Sequence, residues 1–422
     1  MTSINSLPAA RQAASHNRLT RWLKPRLLKQ LDALQGGTII LVEGGASRRL
    51  GRGGPLEASV VIRHPRAWQR LALGGTVGAG EAYMDGDWEA DDLVALVRLF
   101  ATNLERINTQ MENGSARLAR WLLAGAYRLQ RNSASGSRRN IAAHYDIGNA
   151  LFATFLDHRH WMYSSAVFPS PEASLEEAST YKLDRMLDKL DVRPEHHLLE
   201  IGTGWGGLAI HAAKTRGCRV TTTTISDEQY SHTAQRIEEE GLSERITLLK
   251  QDYRALTGTY DRLISIEMIE AVGHQYLDTY LARIDRLLTA DGLAMLQAIT
   301  IRDQRFESAK REMDFIKRYI FPGGFLPSHH AILSSLARKT TLNALALDEI
   351  GLHYARTLRE WRHRFEAQLE QVRTLGYDER FIRMWRYYLC YCEGGFLERS
   401  IGTCQLLLAK PGARPALPAS RQ

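Results

Sequence analysis

Two different patterns of hydrophobic and polar positions divide this chain. From about residue 195, short apolar runs alternate with amphipathic segments of helical period. The runs that predict strands are "HHLLEIG", "CRVTTTTIS", "ITLLKQDY", "YDRLISIEMI" and "LAMLQAITI". The segments that predict helices are "GWGGLAIHAAKTRG", "DEQYSHTAQRIEEEGL" and "YLDTYLARIDRLLTADG". This alternation predicts an α/β fold with a Rossmann-like, doubly wound sheet.

The first 112 residues have no such alternation. "LTRWLKPRLLKQLDAL" has apolar residues at helical spacing, and "GGTIILVEGG" and "EASVVIRHP" indicate strands between glycine-rich turns. "GEAYMDGDWEADDLVALVRLF" is interpreted as a loop that leads into an amphipathic helix. We therefore expect a smaller, mixed α+β accessory domain over residues 1–112, which could contact lipid, membrane or a second copy of the chain.

The polar positions of the first amphipathic segment are mostly Arg and Lys. A basic amphipathic helix can lie on an anionic membrane surface, but it can equally pack on its own domain. The pattern leaves both alternatives open.

Residues 113–140 have the composition of a basic linker. The stretch 113–145 contains no Asp or Glu, and within it "RNSASGSRRN" is small and polar. A solvated tether and a strip that attracts lipid phosphates both fit. The linker separates the accessory domain from a catalytic domain over 141–412, and residues 413–422 are expected to be a disordered tail.

Charge and cysteine content limit the partners and the compartment. The 422 residues carry a formal net charge of +8, which favours an anionic partner. No nucleic-acid recognition motif is present, so a phospholipid surface is preferred. Four cysteines without a framework spacing indicate a reducing cytoplasm. Because no signal peptide or membrane-spanning run is evident, we expect peripheral binding to the inner face of the membrane.

A glycine-rich loop follows the first strand of the predicted catalytic sheet. In "LEIGTGWGGLA", Glu200 precedes Gly202, Gly204, Gly206 and Gly207. The spacing G-x-G-x-G-G is not the dinucleotide spacing, and no Walker lysine follows. The loop has the form of the S-adenosylmethionine (SAM) signature of class I methyltransferases. The second strand departs from the usual pattern, in which an acid at its end binds the ribose, because hydroxyls, Asp227 and Glu228 follow it. These residues can also be interpreted as the start of the next helix, with Ser226 as its N-cap.

Ordered motifs extend this likeness over almost the whole chain. They are "GEAYMDGDWE", "HYDIGNALF", "YSSA", "LEIGTGWGGLA", "TISDEQ", "QDYR", "EMIEAVG", "YIFPGGFLPS", "YARTLREW" and "FIRMWRYYLCYCEGGF". With them the chain resembles the cyclopropane-fatty-acyl-phospholipid synthase family, which includes mycolic acid cyclopropane synthases and lipid methyltransferases. The resemblance implies SAM as co-substrate and the double bond of an unsaturated phospholipid acyl chain as the acceptor. Matching positions imply these SAM contacts: Tyr163, Ser164, Gly202, Gly204, Thr224, Gln229, Asp252 and Tyr253.

In this family a bound bicarbonate ion removes a proton from the transferred methyl group, and five residues surround it. The resemblance places Glu270, Ile299 and Tyr354 at three of these positions. The family's cysteine and histidine are replaced by Ser165 and Gln297. Both can still donate hydrogen bonds to an anion, although Gln cannot supply charge. Glu267 is an additional acid near the site, so either bicarbonate or a protein carboxylate could be the base.

Several interpretations stay open. Glu267 and Glu270 have i, i+3 spacing and could be a solvated helix face. The aromatic run at 385–396 predicts either a core helix or the wall of an acyl tunnel, and "YIFPGGFLPS" is a candidate apolar cap. The histidines of "DHRHW" lack further ligands, so no metal site is expected.

The resemblance implies a cyclopropane product, but "SIEMIEAVG" and "LQAIT" resemble a sub-branch that makes 10-methylene fatty acids without ring closure. A small-molecule methyltransferase and a non-catalytic lipid-binding protein are further alternatives. A homodimer and a partner reductase are also open.

Overall fold

The computed structural model describes residues 18–104, 106 and 148–414. The expected linker, residues 113–140, lies outside these ranges, as do residues 415–422 of the expected tail. Two separate sheets organise the described residues, one within residues 37–90 and the other within residues 197–409.

Residues 18–104, termed the N-terminal unit, contain a four-stranded sheet and three helices. The elements are α1 (Arg18–Asp32), β1 (Gly37–Glu43), β2 (Ala46–Gly53), β3 (Leu56–Ile62), α2 (Arg66–Met84), β4 (Trp88–Ala90) and α3 (Leu93–Thr102). The strand order is β2-β1-β3-β4; β1 and β3 are parallel and the other two pairs are antiparallel. The expected mixed α+β arrangement is therefore present.

Helix α1 packs on its own unit. Within α1, Leu23 is buried and Trp22 is 54% exposed, and Leu34, just after the helix, is also buried. The guanidinium of Arg26 lies 3.3 Å from the centre of the Trp22 ring. Packing on the same unit, one of the two alternatives for this segment, is thus confirmed, and its basic and aromatic outer face is left in solvent. No helix among the described residues is both long and apolar enough to cross a membrane.

The prediction of a loop at "GEAYMDGDWEADD" is wrong for the first part of that segment. Gly80 to Met84 complete helix α2, and Trp88–Ala90 form strand β4. The glycines that suggested a loop permit close packing inside a helix instead, because a Cβ on Gly80 would lie 2.2 Å from the ring of Phe315. Tyr83 and Met84, at the end of this helix, are also buried.

The second part of the chain carries a seven-stranded sheet. Its elements are α4 (Asn149–Phe152), α5 (Leu175–Lys189), β5 (His197–Ile201), α6 (Gly207–Arg216), β6 (Arg219–Thr224), α7 (Asp227–Glu239), β7 (Ile246–Lys250), β8 (Tyr260–Ile266), α8 (Leu277–Leu287), β9 (Leu288–Ile301), α9 (Asp303–Ala309), α10 (His329–Lys339), β10 (Asn343–Glu349), α11 (Gly351–Ala367), α12 (Leu369–Thr374), α13 (Glu379–Leu397) and β11 (Ile401–Ala409). The strand order is β10-β11-β9-β8-β5-β6-β7, and β5 to β9 run parallel. Strands β10 and β11 extend this sheet in antiparallel pairs. The predicted doubly wound sheet is confirmed.

Helix α13 joins the N-terminal unit to the larger sheet. Arg383 donates to the main-chain oxygens of Tyr83 and Trp88, and Arg98 donates to Glu398 at 2.6 Å. Gly394 allows α3 and α13 to approach closely, because a Cβ there would lie 2.7 Å from Val97 Cγ1.

This contact predicts that Gly394→Ala destabilises the protein by about 1–3 kcal/mol through overpacking, less the usual helix-propensity gain of Ala. Urea unfolding measures the change. Gly74→Ala in α2 is the matched control, because a Cβ at Gly74 would meet no atom within 4 Å. Equal midpoints for the two variants would contradict tight packing at this junction.

Candidate active site

The glycine loop lies where β5 ends, at the carboxyl edge of the parallel strands. Gly202 and Gly204 have φ angles of +97° and +53°, a region that L-residues with a side chain rarely adopt. A Cβ at Gly204 would meet nothing within 4 Å, so the backbone there borders open space. A ligand can therefore approach this loop closely.

One cavity of about 750 Å³ runs along this edge of the sheet. All eight residues expected to contact SAM lie on its wall: Tyr163, Ser164, Gly202, Gly204, Thr224, Gln229, Asp252 and Tyr253. Tyr253 and one further wall residue, Thr203, have buried hydroxyl oxygens with no hydrogen-bond partner among the described residues. Such oxygens commonly bond to a ligand or water. The residues present thus fit SAM.

The side chains after β6 and β7 already have protein partners. The Thr224 hydroxyl donates to Gln229 Oε1 at 2.9 Å, and Ser226 accepts from the Gln229 amide, which confirms the N-cap interpretation. Asp252 receives two hydrogen bonds from the Arg254 guanidinium, at 2.8 and 2.6 Å. These pairs fix the orientation of the side chains along the cavity wall.

Glu267 follows β8 in a strained backbone conformation and turns its carboxylate into the protein. Its φ angle is +50°. Oε1 accepts from the Ser165 main-chain amide at 2.9 Å and from Gln297 Nε2 at 2.8 Å. Oε2 accepts from the Tyr354 hydroxyl at 2.8 Å. Three donors from three separate segments therefore converge on one carboxylate.

Glu270 lies one short turn later, in the 3₁₀ segment Ile269–Ala271. The Ile299 amide donates to its Oε1, while its buried Oε2 has no partner among the described residues. Both Glu267 and Glu270 line the cavity, as do Ile299 and Tyr354. The interpretation of the two acids as a solvated helix face is therefore wrong.

Ser165 and Gln297 are placed differently from those four. Both are fully buried, and neither is among the described residues that line the cavity. The Ser165 hydroxyl donates to the Ala166 oxygen, so it is the Ser165 main-chain amide that reaches Glu267. The six residues expected around the base are thus close together, with Ser165 and Gln297 behind Glu267.

The pKa values of Glu267 and of the acids near it are strongly shifted. Burial raises the pKa of Glu267, and burial together with the nearby Glu267 raises the pKa of Glu270 well above its ordinary value. Glu200, buried against the Thr222 hydroxyl, has its pKa raised to about 8 by burial. Two carboxyls as close as Glu267 and Glu270 resist simultaneous ionisation, so one of them holds a proton more tightly.

Lys182 is a site residue that the sequence analysis missed. Its ammonium is completely buried and donates to Ser164 Oγ at 2.8 Å. Burial lowers its pKa to about 8, although Glu267, Asp157 and Glu200 oppose this shift. A signal was present: Lys182 lies in the buried stripe of α5 with Leu175, Ala178, Leu183 and Met186. A lysine at an apolar position of a helical pattern indicates a buried charge with partners.

The cavity continues away from the acids into the N-terminal unit. Its wall there is apolar and includes Leu31, Trp68, Ala79, Leu96 and Phe100. Tyr387, Tyr388, Tyr391 and Phe396 of α13 and Phe321 to Leu326 of the "YIFPGGFLPS" segment also line it, apart from Gly323. The aromatic run is both a core helix, through buried Trp385, and a cavity wall.

No histidine of the described ranges lines this wall. His160 bonds through its ring to the Thr180 hydroxyl at 2.9 Å, which is a structural contact. Within the described ranges, no three His, Cys, Asp or Glu side chains are grouped so that they could hold a metal ion.

Comparison with known proteins agrees with the geometry. The family model of mycolic acid cyclopropane synthetase matches residues 132–406. The tuberculostearic acid methyltransferase UfaA1 of Mycobacterium tuberculosis is 36% identical over 416 residues, 96% of this chain and 93% of that protein. The cyclopropane-fatty-acyl-phospholipid synthase of Escherichia coli is 34% identical over 361 residues, 85% of this chain and 89% of that protein.

A solved structure shares the fold. The mycolic acid cyclopropane synthase CmaA1, complexed with SAH and CTAB, superposes with a TM-score of 0.60 at 28% identity, over 65% of this chain and 98% of that one. The family-model match over residues 132–406 includes the glycine loop, on which the SAM signature lies. The chain therefore belongs to the mycolic acid cyclopropane synthetase family and is a SAM-dependent methyltransferase.

Proposed function

We propose that this enzyme transfers a one-carbon group from SAM to the double bond of an unsaturated phospholipid acyl chain, with Glu267 in place of bicarbonate as the base. The single observation that carries the proposal is the triple hydrogen bonding of Glu267. The donors on Ser165, Gln297 and Tyr354, at positions that the resemblance assigns to the bicarbonate site, already bind a protein carboxylate. A second anion would lie against both Glu267 and Glu270, which electrostatic repulsion disfavours.

SAM supplies an electrophilic methyl group: the alkene π electrons form the new carbon–carbon bond, and the carbon–sulfur electrons remain on sulfur. The chain's own residues must then stabilise a cation on the acyl chain and exclude water. The ionised Glu267 supplies negative charge, and the rings of Tyr354 and Phe396, stacked 4.5 Å apart, line the same cavity. Proton transfer from the new methyl group to Glu267 completes the reaction and leaves an uncharged acyl chain.

We propose further that the product is a methylene-branched chain. The three hydrogen bonds make Glu267 a weaker base than the same buried carboxylate would be without them, so proton removal is slower. A cation that persists can rearrange by a hydride shift to the more substituted carbon, and loss of a methyl proton then gives an exocyclic double bond. The likeness to the tuberculostearic acid methyltransferase over 96% of the chain supports a non-cyclised product. Ring closure, implied by the family resemblance, is the alternative outcome.

We assign the apolar part of the cavity to the acyl chain. The whole cavity, with the SAM part included, has a volume of about 750 Å³, within the range of roughly 300–1,000 Å³ that ligand pockets usually have. The N-terminal unit, which belongs to the proposed accessory domain 1–112, then forms part of the substrate site. The exposed Trp22 and the basic residues of α1 favour contact of this unit with an anionic membrane. The same proposal includes a cytoplasmic location for the enzyme, with peripheral binding to the membrane.

The role of Glu267 predicts that Glu267→Gln lowers turnover by about 10²- to 10⁴-fold, the usual contribution of a general base. SAM affinity, measured by calorimetry, should stay within a few-fold of the wild type. Glu239→Gln, at an exposed position at the end of α7, is the control. Turnover by Glu267→Gln equal to that of the control would exclude Glu267 as the base.

The product is identified by proton NMR of lipid extracted after the enzyme is incubated with SAM and vesicles of a monounsaturated phospholipid. Vinylic methylene signals are expected. Upfield ring protons would instead show cyclopropane formation, and unchanged lipid would direct the search to small-molecule acceptors.

The acyl-chain assignment predicts that Ala79→Phe, which narrows the apolar cavity, raises the KM for long-chain lipid about tenfold or more, in line with loss of several buried methylene groups. SAM binding should not change. Ala46→Phe changes an exposed alanine of the same unit that is not on the cavity wall, and it serves as the control. Equal KM values for both variants would place the acyl chain elsewhere.

A further inference from the structure

The side-chain amide of Gln297 has only one favourable orientation. Its Oε1 accepts from Gln405 Nε2 at 2.9 Å. Its Nε2 donates to Glu267 Oε1 at 2.8 Å and to the Ser165 main-chain oxygen at 3.2 Å. Rotating the amide by half a turn would bring its oxygen against two acceptors and its NH₂ group against another NH₂ group. All three contacts therefore select the orientation that donates to Glu267.

The side-chain amide of Gln405, on the neighbouring strand, also has only one favourable orientation. It lies directly opposite Gln297 in the antiparallel pair of β11 and β9, and it is completely buried. Its Oε1 accepts from the Arg185 guanidinium, which leaves its NH₂ group toward Gln297. Because a guanidinium can donate but never accept, Arg185 determines the orientation of Gln405.

Arg185 in turn is held from the opposite side. Its Nη2 forms a salt bridge with Asp348 of β10 at 3.0 Å, and Lys189 also pairs with Asp348. The series Asp348, Arg185, Gln405 and Gln297 thus connects an ion pair on β10 and α5 to the carboxylate at the cavity.

We propose that this series is a positioning relay, in which Arg185 and Gln405 orient the Gln297 amide so that it donates to Glu267 and keeps that carboxylate ionised and aimed into the cavity. The inference rests on the proposed role of Glu267 as the base. Arg185 and Gln405 are positioning residues, since neither lines the cavity among the described residues. The relay gives position 297 a donor of fixed direction without the charge that a histidine could carry.

Four other titratable groups act on Glu267: Lys182 from α5, Glu270 after β8, Tyr354 from α11 and Tyr388 from α13. Lys182 and the Tyr354 hydroxyl favour its ionised form, whereas burial and the Glu270 charge oppose it. The Gln297 hydrogen bond lowers the pKa of Glu267 against the effect of burial. Losing this donor should raise that pKa, and the acid limb of the rate profile should move to higher pH.

The test compares pH profiles of turnover for Gln405→Met and the wild type. We expect the acid limb of Gln405→Met to shift upward by about one pH unit, the usual effect of one hydrogen bond to a charged group. Cys404→Ala is the matched control, because Cys404 is the buried neighbour on β11 whose side chain packs on the opposite face of the sheet. Its profile should coincide with the wild type. Arg185→Met should shift the limb as Gln405→Met does, and Arg185→Lys, which keeps a donor, should shift it less.

A double-mutant cycle separates a relay from general loosening of the site. In a Gln297→Met background, Gln405→Met should cause no further shift, because the link through which it acts is gone. Additive shifts, or an acid limb unmoved in Gln405→Met while Glu267→Gln is inactive, would overturn the relay. Full activity of Glu267→Gln would instead overturn the proposed base, so the two failures are distinguishable.

Discussion

The burial of one carboxylate constrains the rest of this site. Glu267 is removed from water, which an ionised acid tolerates only when hydrogen bonds and opposite charge replace hydration. Three donors and the ammonium of Lys182 provide that replacement. The donors come from the segment before α5, from β9 and from α11, so the sheet and its flanking helices must all be in place before Glu267 can ionise.

The same constraint explains why the chemistry is separated from the apolar part of the cavity. Ser165, Gln297 and Tyr354 hold Glu267, while the part of the cavity toward the N-terminal unit is lined by aromatic and aliphatic side chains. A short-lived cation requires a nearby negative charge without water. A carboxylate that is held in place by hydrogen bonds and faces an apolar wall meets both needs. The N-terminal unit contributes to this wall because Gly80 and Gly394 allow it to pack closely on Phe315 and α13.

Much of this arrangement could be predicted from sequence, because it depends on local patterns. The strand and helix order, the glycine loop after Glu200 and the Ser226 cap all follow from residues close together in the chain. Glu267 and Glu270 could be placed at the end of β8 for the same reason. The hydrogen bonding of Glu267 could not, because it depends on a positive φ angle and on donors up to 102 residues away. The contact of Gln405 with Gln297 could not be predicted either, because only the register of β11 against β9 places the two residues opposite each other.

The central claim is that Glu267 occupies the place of bicarbonate, and chemical rescue tests it most directly. Glu267→Gly suits the backbone at φ +50° and frees the three donors. With SAM and vesicles of monounsaturated phospholipid, turnover is measured in bicarbonate-free buffer and after addition of bicarbonate. The account predicts a wild type that is indifferent to bicarbonate and a Glu267→Gly variant whose lost activity bicarbonate partly restores. A wild type that stops when bicarbonate is removed would contradict it.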